Sequence, residues 1–172
     1  MITLSVHIFN TISQKIYDDI IYSISFYSLT CTCGHSGCLI GHGSYQRFMK
    51  FDGAKIPLQI SRVLCCSCGK THALLPAFIV PYSQISLCEQ VNIISENSPT
   101  KANSVMEQNP AIDESNVNSI IRQYNHHWKQ RLASEKIPLL PLTLLVKQCF
   151  SCFNRQFMQI KNTPNILFLT PT

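Results

Sequence analysis

Two cysteine groups decide the fold: Cys31-Thr32-Cys33-Gly34 opens residues 31–72, and Cys65-Cys66-Ser67-Cys68-Gly69 lies near their end. Two segments with strand character lie between the groups, joined by Asp52-Gly53, a pair typical of tight hairpin turns. Zn²⁺ prefers thiolate ligands, and four of them complete a tetrahedral structural site. A short segment with few core residues depends on such a site, because metal binding supplies folding free energy. The stretch therefore predicts a β-hairpin held by one structural zinc ion, which is the arrangement of a zinc ribbon.

The second cysteine pair carries the stronger metal signal. Cys65-x-x-Cys68 has the spacing at which two thiolates on a tight turn face one ion, and Gly69 permits the left-handed backbone that follows. The first pair, Cys31-x-Cys33, is one residue shorter than the usual spacing. We predict that these two pairs together hold the zinc ion.

Other candidate ligands surround the first pair, so alternatives stay open there. Cys38 is the reserve ligand, since Cys33-x4-Cys38 is a competing pair, and His35 and His42 offer ring nitrogens. For Cys38 and the remaining cysteines, a small buried apolar residue is the favoured interpretation. Those remaining cysteines are Cys66, Cys88, Cys149 and Cys152.

Composition predicts a folded protein in a reducing compartment. Hydrophobic residues make up 45% of the 172 residues and charged residues only 13%, which argues against a disordered chain. Nine cysteines, an odd number clustered in close pairs, favour metal binding over a disulfide framework. We see no secretory signal and no apolar run near the roughly 20 residues that a membrane span needs. A soluble cytoplasmic protein is the expectation.

The pattern predicts an α+β protein in which a small zinc-ribbon β-hairpin domain precedes a helical domain. Residues 1–30 contain an alternating strand from Ile2 to Ile8 and a short helix over 16–26, which packs on the ribbon. Residues 31–82 form the ribbon. Its predicted strands are 39–50, 55–64, with Leu64 on the core side, and 71–75, and a linker between Pro76 and Pro81 ends it.

The remaining chain predicts helices. Residues 83–135 carry three: one over 83–97, one that begins at Ser98-Pro99, and one from the N-cap Asp113 with an apolar stripe through Trp128. Asn109-Pro110 marks the turn before the third helix, so this region fits a helix-turn-helix. Residues 136–172 form a fourth helix over 141–161 and a tail.

Charge favours DNA as the partner. Lys and Arg exceed Asp and Glu by four in residues 31–72 and again in 113–172. Asp113 and Glu114, at the start of the third helix, would repel phosphate. The predicted phosphate contacts are Arg47, Lys50, Lys55, Arg62 and Lys70 on the ribbon and Arg122, Lys129 and Arg131 on the third helix. The side chains predicted to reach base edges are Ser115, Asn116, Asn118, Ser119 and Arg122.

Enzymatic activity has no support in the motifs. The chain shows no nucleophile elbow, no glycine loop for phosphate and no H-E-x-x-H, and its nine acidic residues form no obvious metal-binding set. We therefore expect no enzyme and no small-molecule substrate.

The motifs resemble a known group of proteins. Cys31-x-Cys33-Gly34, His42-Gly43-x-Tyr45-x-Arg47 and Arg62-Val63-x-Cys65-x-x-Cys68-Gly69-x-Thr71-His72 resemble the N-terminal zinc ribbon of bacterial insertion-sequence transposases. The whole chain resembles a family of short, uncharacterised Firmicutes proteins with this ribbon and a helix-turn-helix-like region. In the transposases these modules bind transposon-end DNA, and a later RNase H-like domain, which this chain lacks, cuts it. The resemblance implies DNA binding without strand transfer.

A second hypothesis is a protein-interaction or oligomerisation module with a purely structural zinc site. The apolar fourth helix would then dock a related transposase or a second copy of this chain. A third, weaker hypothesis is a thiol redox or metal-sensing protein, which Cys66 suggests because it adjoins a predicted ligand.

Overall fold

The protein combines a sheet with helices, as the predicted α+β class requires. A computed structural model describes residues 1–6, 11, 13–95, 99–154 and 157–158. Within these residues the chain forms one four-stranded sheet, with strand order β1-β4-β3-β2. One helix packs on the sheet, and the later helices pack on one another around a second buried cluster. No helix in this described part is both long enough and apolar enough to span a bilayer.

The hairpin predicted between the cysteine pairs is confirmed. Strands β2 (Leu39–Phe51) and β3 (Ala54–Cys65) pair antiparallel along their length. Asp52 and Gly53 connect them with φ angles of 49° and 72°, the two positive values that a type I′ turn requires. The strand predicted over 71–75 is present as β4 (Thr71–Pro76), and it pairs antiparallel with the end of β3.

The N-terminal strand is shorter than its alternating pattern suggested. Strand β1 (Ile2–Leu4) pairs parallel with β4, and the predicted continuation to Ile8 lies outside the described residues. The following helix, α1 (Gln14–Tyr22), begins at the N-cap Ser13 and ends before the predicted position 26. A single 3₁₀ turn, Phe26–Ser28, then leads to the first cysteine pair.

The buried side of β3 changes at the level of a β-bulge in the facing strand β2. The register shifts between Gly41 and Ser44 on β2, where two residues oppose one on β3. On β3, Ile60 is buried on one side of the bulge and Val63 is buried on the other. The predicted strict alternation was therefore wrong at Leu64, which is only half-buried because the buried side of the strand has moved to odd-numbered residues.

Helix α1 closes the place where β3 and β4 separate. The hydroxyl of Tyr17 accepts a hydrogen bond from the backbone N–H of Ser61 at 2.8 Å and donates one to the carbonyl of Leu74 at 3.0 Å. The last paired residues before the gap are Arg62 and Ala73, so the buried phenol takes the place of the next rung. Burial raises the pKa of Tyr17, so the phenol stays neutral and keeps the proton that it donates.

Two clusters of buried side chains form the core, and they meet at residues 77–80. Phe78 and Ile79 pack in the cluster under the sheet, whereas Ala77 and Val80 pack in the helical cluster. The interpretation of Pro76–Pro81 as a linker was wrong, since all of residues 74–81 are buried. The segment joins the two cores because neighbouring side chains enter different ones.

Helices α2 (Leu87–Ser95), α3 (Pro99–Gln108) and α4 (Glu114–Gln123) follow. Asp113 is the N-cap of α4 in a capping box with Asn116, as the sequence predicted for the cap. The predicted third helix is not uniform, because a π-helical turn, Tyr124–Trp128, separates α4 from α5 (Lys129–Ser134). The chain keeps the helical direction, and Trp128 and Leu132 remain buried.

The last helix is shorter than predicted. Helix α6 (Leu142–Phe153) ends at Asn154, whose φ of 49° is left-handed. Phe157, placed on this helix by the sequence, is buried beyond its end, and the predicted continuation to 161 lies outside the described residues. Leu145, Val146 and Cys149 bury the apolar face of α6 in the helical core. The face that the second hypothesis assigned to a partner is thus used within the chain.

We predict that Tyr17→Phe destabilises the protein by about 1–3 kcal/mol. The change removes one hydroxyl and leaves the N–H of Ser61 and the carbonyl of Leu74 unpaired at a mostly buried site. Urea unfolding measures the effect. Tyr22→Phe is the matched control, because Tyr22 lies on the same helix with 88% of its surface exposed. Equal stability of both variants would contradict the role given to Tyr17.

Candidate metal centre and charged surfaces

Two glycine-containing turns bring the cysteines together. In the first turn the N–H of Gly34 donates to the carbonyl of Cys31, and Gly34 has a φ of 91°. In the second the N–H of Gly69 donates to the carbonyl of Cys65, and Gly69 has a φ of 69°. Both glycines adopt the left-handed backbone that the sequence predicted only after the second pair.

The sulfur atoms of Cys31, Cys33, Cys65 and Cys68 all lie within 4.8 Å of one another. Sγ of Cys31 is 3.7 Å from Sγ of Cys68, and Sγ of Cys33 is 3.8 Å from Sγ of Cys65. A tetrahedral ion with sulfur at about 2.3 Å separates its ligands by about 3.8 Å. The four residues therefore fit one zinc ion, and they are the four that the sequence selected.

His72 lies directly beside the cysteine cluster. Its Nε2 lies 3.2 Å from Sγ of Cys31, and its Nδ1 lies 3.2 Å from the amino nitrogen of Met1. Because the amino group donates to Nδ1, the ring proton is on Nε2 and points at the sulfur. Burial, followed by the nearby positive charges of the amino group and Lys70, lowers the pKa of His72. Only 4% of His72 is exposed, which leaves it unable to contact phosphate.

The thiols of the cluster share negative charge unequally. Burial opposes ionisation of Cys65, but its hydrogen bonds with Cys38, Cys68 and Cys31 outweigh burial and lower the pKa of Cys65 to about 6. At Cys68 the backbone N–H of Lys70 favours the thiolate, yet burial and the neighbouring thiols raise its pKa to about 12. The pKa values of Cys65 and Cys68 are thus shifted in opposite directions, as expected of thiols that lie close enough to interact, and a divalent cation would favour the thiolate form of both.

Cys38, the reserve ligand, lies beside the cluster. Its Sγ is 3.3 Å from Sγ of Cys65, and it donates to the carbonyl of His35 at 3.3 Å. That donation needs the thiol proton, whereas a zinc ligand is a thiolate. Burial raises the pKa of Cys38, which agrees with a protonated neighbour of the site.

The other cysteines divide between buried and exposed. Cys149 is buried, as the sequence predicted, and burial raises the pKa of its thiol to about 12. Cys66 and Cys152 are exposed, so the prediction of small buried residues was wrong for these two. Cys88 is half-buried.

Arg47, one of the predicted phosphate contacts, has its guanidinium group engaged within the chain. It donates to the carbonyls of Val80 and Ser83 and so holds the segment that joins the two cores. Burial lowers the pKa of Arg47. The sequence offered no signal for this role, because the partners are main-chain carbonyls more than 30 residues away.

Lys50 joins the hairpin to the start of α4. Its ammonium lies 3.3 Å from the carboxylate of Asp113 and 2.6 Å from Oδ1 of Asn116, and only 8% of the residue is exposed. Next to it, the N–H of Gly53 donates to Oδ1 of the buried Asn109 at 3.0 Å. The tip of the hairpin is thus fixed to the turn between α3 and α4. The Asn116 hydrogen bond first, then Lys50, lowers the pKa of Asp113.

The remaining predicted nucleic-acid contacts lie at the surface. Arg62 is half-exposed and donates to Oγ1 of Thr71 at 3.1 Å. Asn116, Ser119 and Arg131 are half-exposed as well, and Asn116 is bonded to Lys50. The other positions have exposed side chains; they are Lys55 and Lys70 on the ribbon and Ser115, Asn118, Arg122 and Lys129 on α4 and α5.

We predict that Lys50→Met weakens the contact between hairpin and helices and costs about 1 kcal/mol of stability. The value is low because the carboxylate of Asp113 is more than half exposed and regains water when its partner is removed. Thermal unfolding followed by circular dichroism measures it. Lys55→Met, an exposed lysine of the same hairpin, is the control and is expected to leave the midpoint unchanged. If both variants unfold at the wild-type midpoint temperature, the Lys50 contact does not stabilise the protein.

Comparison with known proteins places the chain by its sequence. No curated protein matches it, and no solved structure does. A family model described as a domain of unknown function, DUF6431, matches residues 30–117. That range contains all four clustered cysteines, the hairpin and the first turn of α4. Since the match spans more than half of the residues, the chain belongs to the DUF6431 family of domains of unknown function.

Proposed function

We propose that the chain binds duplex DNA through a zinc-ribbon and helix-turn-helix region like that of insertion-sequence transposases, without catalysing strand transfer. The observation that carries the proposal is an exposed polar face along α4 and α5 whose first turn is fixed to the hairpin. The motif resemblance supports the link to transposases, and the proposal treats the protein as a binding module without a chemical step.

A single face of the helix supplies the polar groups. Side chains at spacings of three and four residues share one side of a helix and are all exposed here. Amides pair with adenine edges, arginine with guanine, and lysine with phosphate. On α4 the members of this polar face are Ser115, Asn118 and Arg122; Asn125, in the π-helical turn, and Lys129, at the start of α5, are exposed beyond it.

The contact of Lys50 supports the use of this face against DNA. Asp113 lies at the start of α4, where an unpaired carboxylate would repel the phosphate backbone. Lys50 lies 3.3 Å from that carboxylate and offsets its charge, so Glu114 is the remaining acidic residue of this turn. The same contact holds the helix in a constant orientation relative to the ribbon, as recognition in a groove requires.

On the ribbon, the proposal assigns phosphate contacts to Lys55, Arg62 and Lys70, which are exposed or half-exposed. It leaves out Arg47 and Lys50, because their charged ends already have partners within the chain. A zinc ion at the four cysteines would hold the two cysteine turns together, and the second turn lies between Arg62 and Lys70 in the sequence. Its role would be structural only.

We predict that Arg122→Gln with Lys129→Gln weakens binding to duplex DNA and flattens its salt dependence. Each lost phosphate contact lowers the slope of log K against log salt by about 0.9. Fluorescence anisotropy with a labelled duplex over a salt series measures the slope. Lys15→Gln, an exposed lysine on α1, removes one charge as a control and should leave the slope unchanged. A duplex affinity that is absent, or insensitive to salt, would refute the proposal.

We predict one zinc ion per chain, held by the four clustered cysteines. Cys65→Ser should abolish stoichiometric zinc and unfold the ribbon, because structural zinc contributes about 10–16 kcal/mol to small folds. Elemental analysis and thermal unfolding measure both effects. Cys66→Ser changes the adjacent exposed cysteine and should keep the metal, and Cys38→Ser should do so as well. A metal-free protein whose unfolding is unaffected by a strong chelator would contradict the assignment.

A further inference from the structure

A cleft of about 610 Å³ opens beside the sheet, and none of the four clustered cysteines lines it. Strand β2 forms one wall, β4 a second, and the turn at residues 82–84 a third. Five aromatic side chains of the described residues are more than a third exposed, and three of them line this cleft. Those three are Tyr45, Phe48 and Tyr82.

Tyr82 is the most exposed of the three aromatic residues, and its backbone is strained. Its φ is 61°, a left-handed value that glycine or asparagine adopts more readily than tyrosine. Its side chain nevertheless is 67% exposed, so no burial within the chain offsets the strain. A large ring held in this way is the kind of outlier that points to a binding role.

The turn that carries Tyr82 is anchored on every side. Arg47 donates to the carbonyls of Val80 and Ser83, and the N–H of Lys50 donates to the carbonyl of Gln84 at 2.7 Å. The hydroxyl of Ser83 accepts from the amide of the buried Gln90 at 2.9 Å. The exposed ring is therefore presented by a rigid backbone, which lowers the entropy that a ligand must overcome.

The polar lining of the cleft suits a nucleobase. The side-chain amides of Gln46 and Gln84 have no hydrogen-bond partner in the described part of the chain, and each offers donors and an acceptor. None of the residues that line the cleft is acidic. Thr71 lies on the β4 wall, next to Lys70 in sequence, and accepts a hydrogen bond from the guanidinium of Arg62. Two cationic residues therefore lie near the Thr71 end of the cleft.

We propose that this cleft binds an unpaired nucleotide of a DNA strand, with the base stacked on Tyr82 between the amides of Gln46 and Gln84. Aromatic faces accept any base, and a cationic rim follows the backbone. The inference rests on the proposed function in taking DNA as the partner. It adds a second site, which takes single-stranded or locally unpaired DNA rather than the groove of a duplex.

The test compares a labelled oligothymidine strand with a fully paired duplex of equal length, each bound to the full-length, metal-loaded protein. Tyr82→Asn should weaken binding of the single strand about tenfold, in line with base stacking of about 1–3 kcal/mol. It should leave the duplex affinity unchanged. Tyr82→Trp keeps a stacking surface and should bind the single strand with about the affinity of the wild-type protein. Tyr22→Asn, at an exposed tyrosine far along the chain, is the matched control.

Tyr82→Gly separates binding from folding, because glycine relieves the strain at a φ of 61° and should not lower the unfolding midpoint. Loss of single-strand binding by this variant at unchanged stability supports the proposal. Wild-type single-strand affinity in both Tyr82→Asn and Tyr82→Gly would overturn it, as would capture of a proline-rich peptide in place of the strand. If the protein fails to bind duplex DNA but still binds the single strand through Tyr82, the proposed role of α4 is refuted and the proposal for the cleft is kept.

Discussion

The hairpin between β2 and β3 is held at both of its ends, and the rest of the structure is built on that constraint. At the open end, four sulfur atoms from two turns lie within 4.8 Å of one another. At the closed end, Lys50 and Gly53 bind side chains at the start of α4 and in the turn before it. A two-stranded hairpin alone is marginal in water, so these contacts are what make a long hairpin a usable platform.

Side chains complete the backbone hydrogen bonds wherever the sheet is interrupted. Gln14 uses both ends of its amide on the backbone of Gln59, at 2.7 Å to the N–H and 3.3 Å to the carbonyl. Tyr17 does the same for the rung where β3 and β4 separate. Arg47 satisfies the carbonyls of Val80 and Ser83, at the end of the buried segment 74–81 and just after it. Buried backbone groups need partners, and Tyr17 provides them where β3 and β4 no longer pair.

The two proposed DNA contacts share this framework. Lys50 fixes α4 through its ammonium group and fixes the turn at Tyr82 through its backbone N–H. Arg47 anchors that same turn, and its side chain lines the cleft beneath it. Arg47 and Lys50 were predicted to contact phosphate. In the structure they instead position α4 and the turn at Tyr82, the two surfaces that we assign to DNA. Hydrogen bonds from a charged donor are stronger than those between neutral groups. Arg47 and Lys50 therefore act as structural links between segments of the chain.

The sequence by itself determined the features that depend on a few neighbouring residues. The cysteine spacing, the Asp52-Gly53 turn, the cap at Asp113 and the class of most elements follow from local geometry and side-chain chemistry, and the structure agrees with each. The tertiary structure alone decided the roles of Tyr17, Arg47, His72 and Lys50, the burial of residues 74–81 and the change of core side at the bulge. The side-chain contacts among these features join residues more than 30 positions apart, and pattern and propensity carry no information about such pairs until the chain has folded.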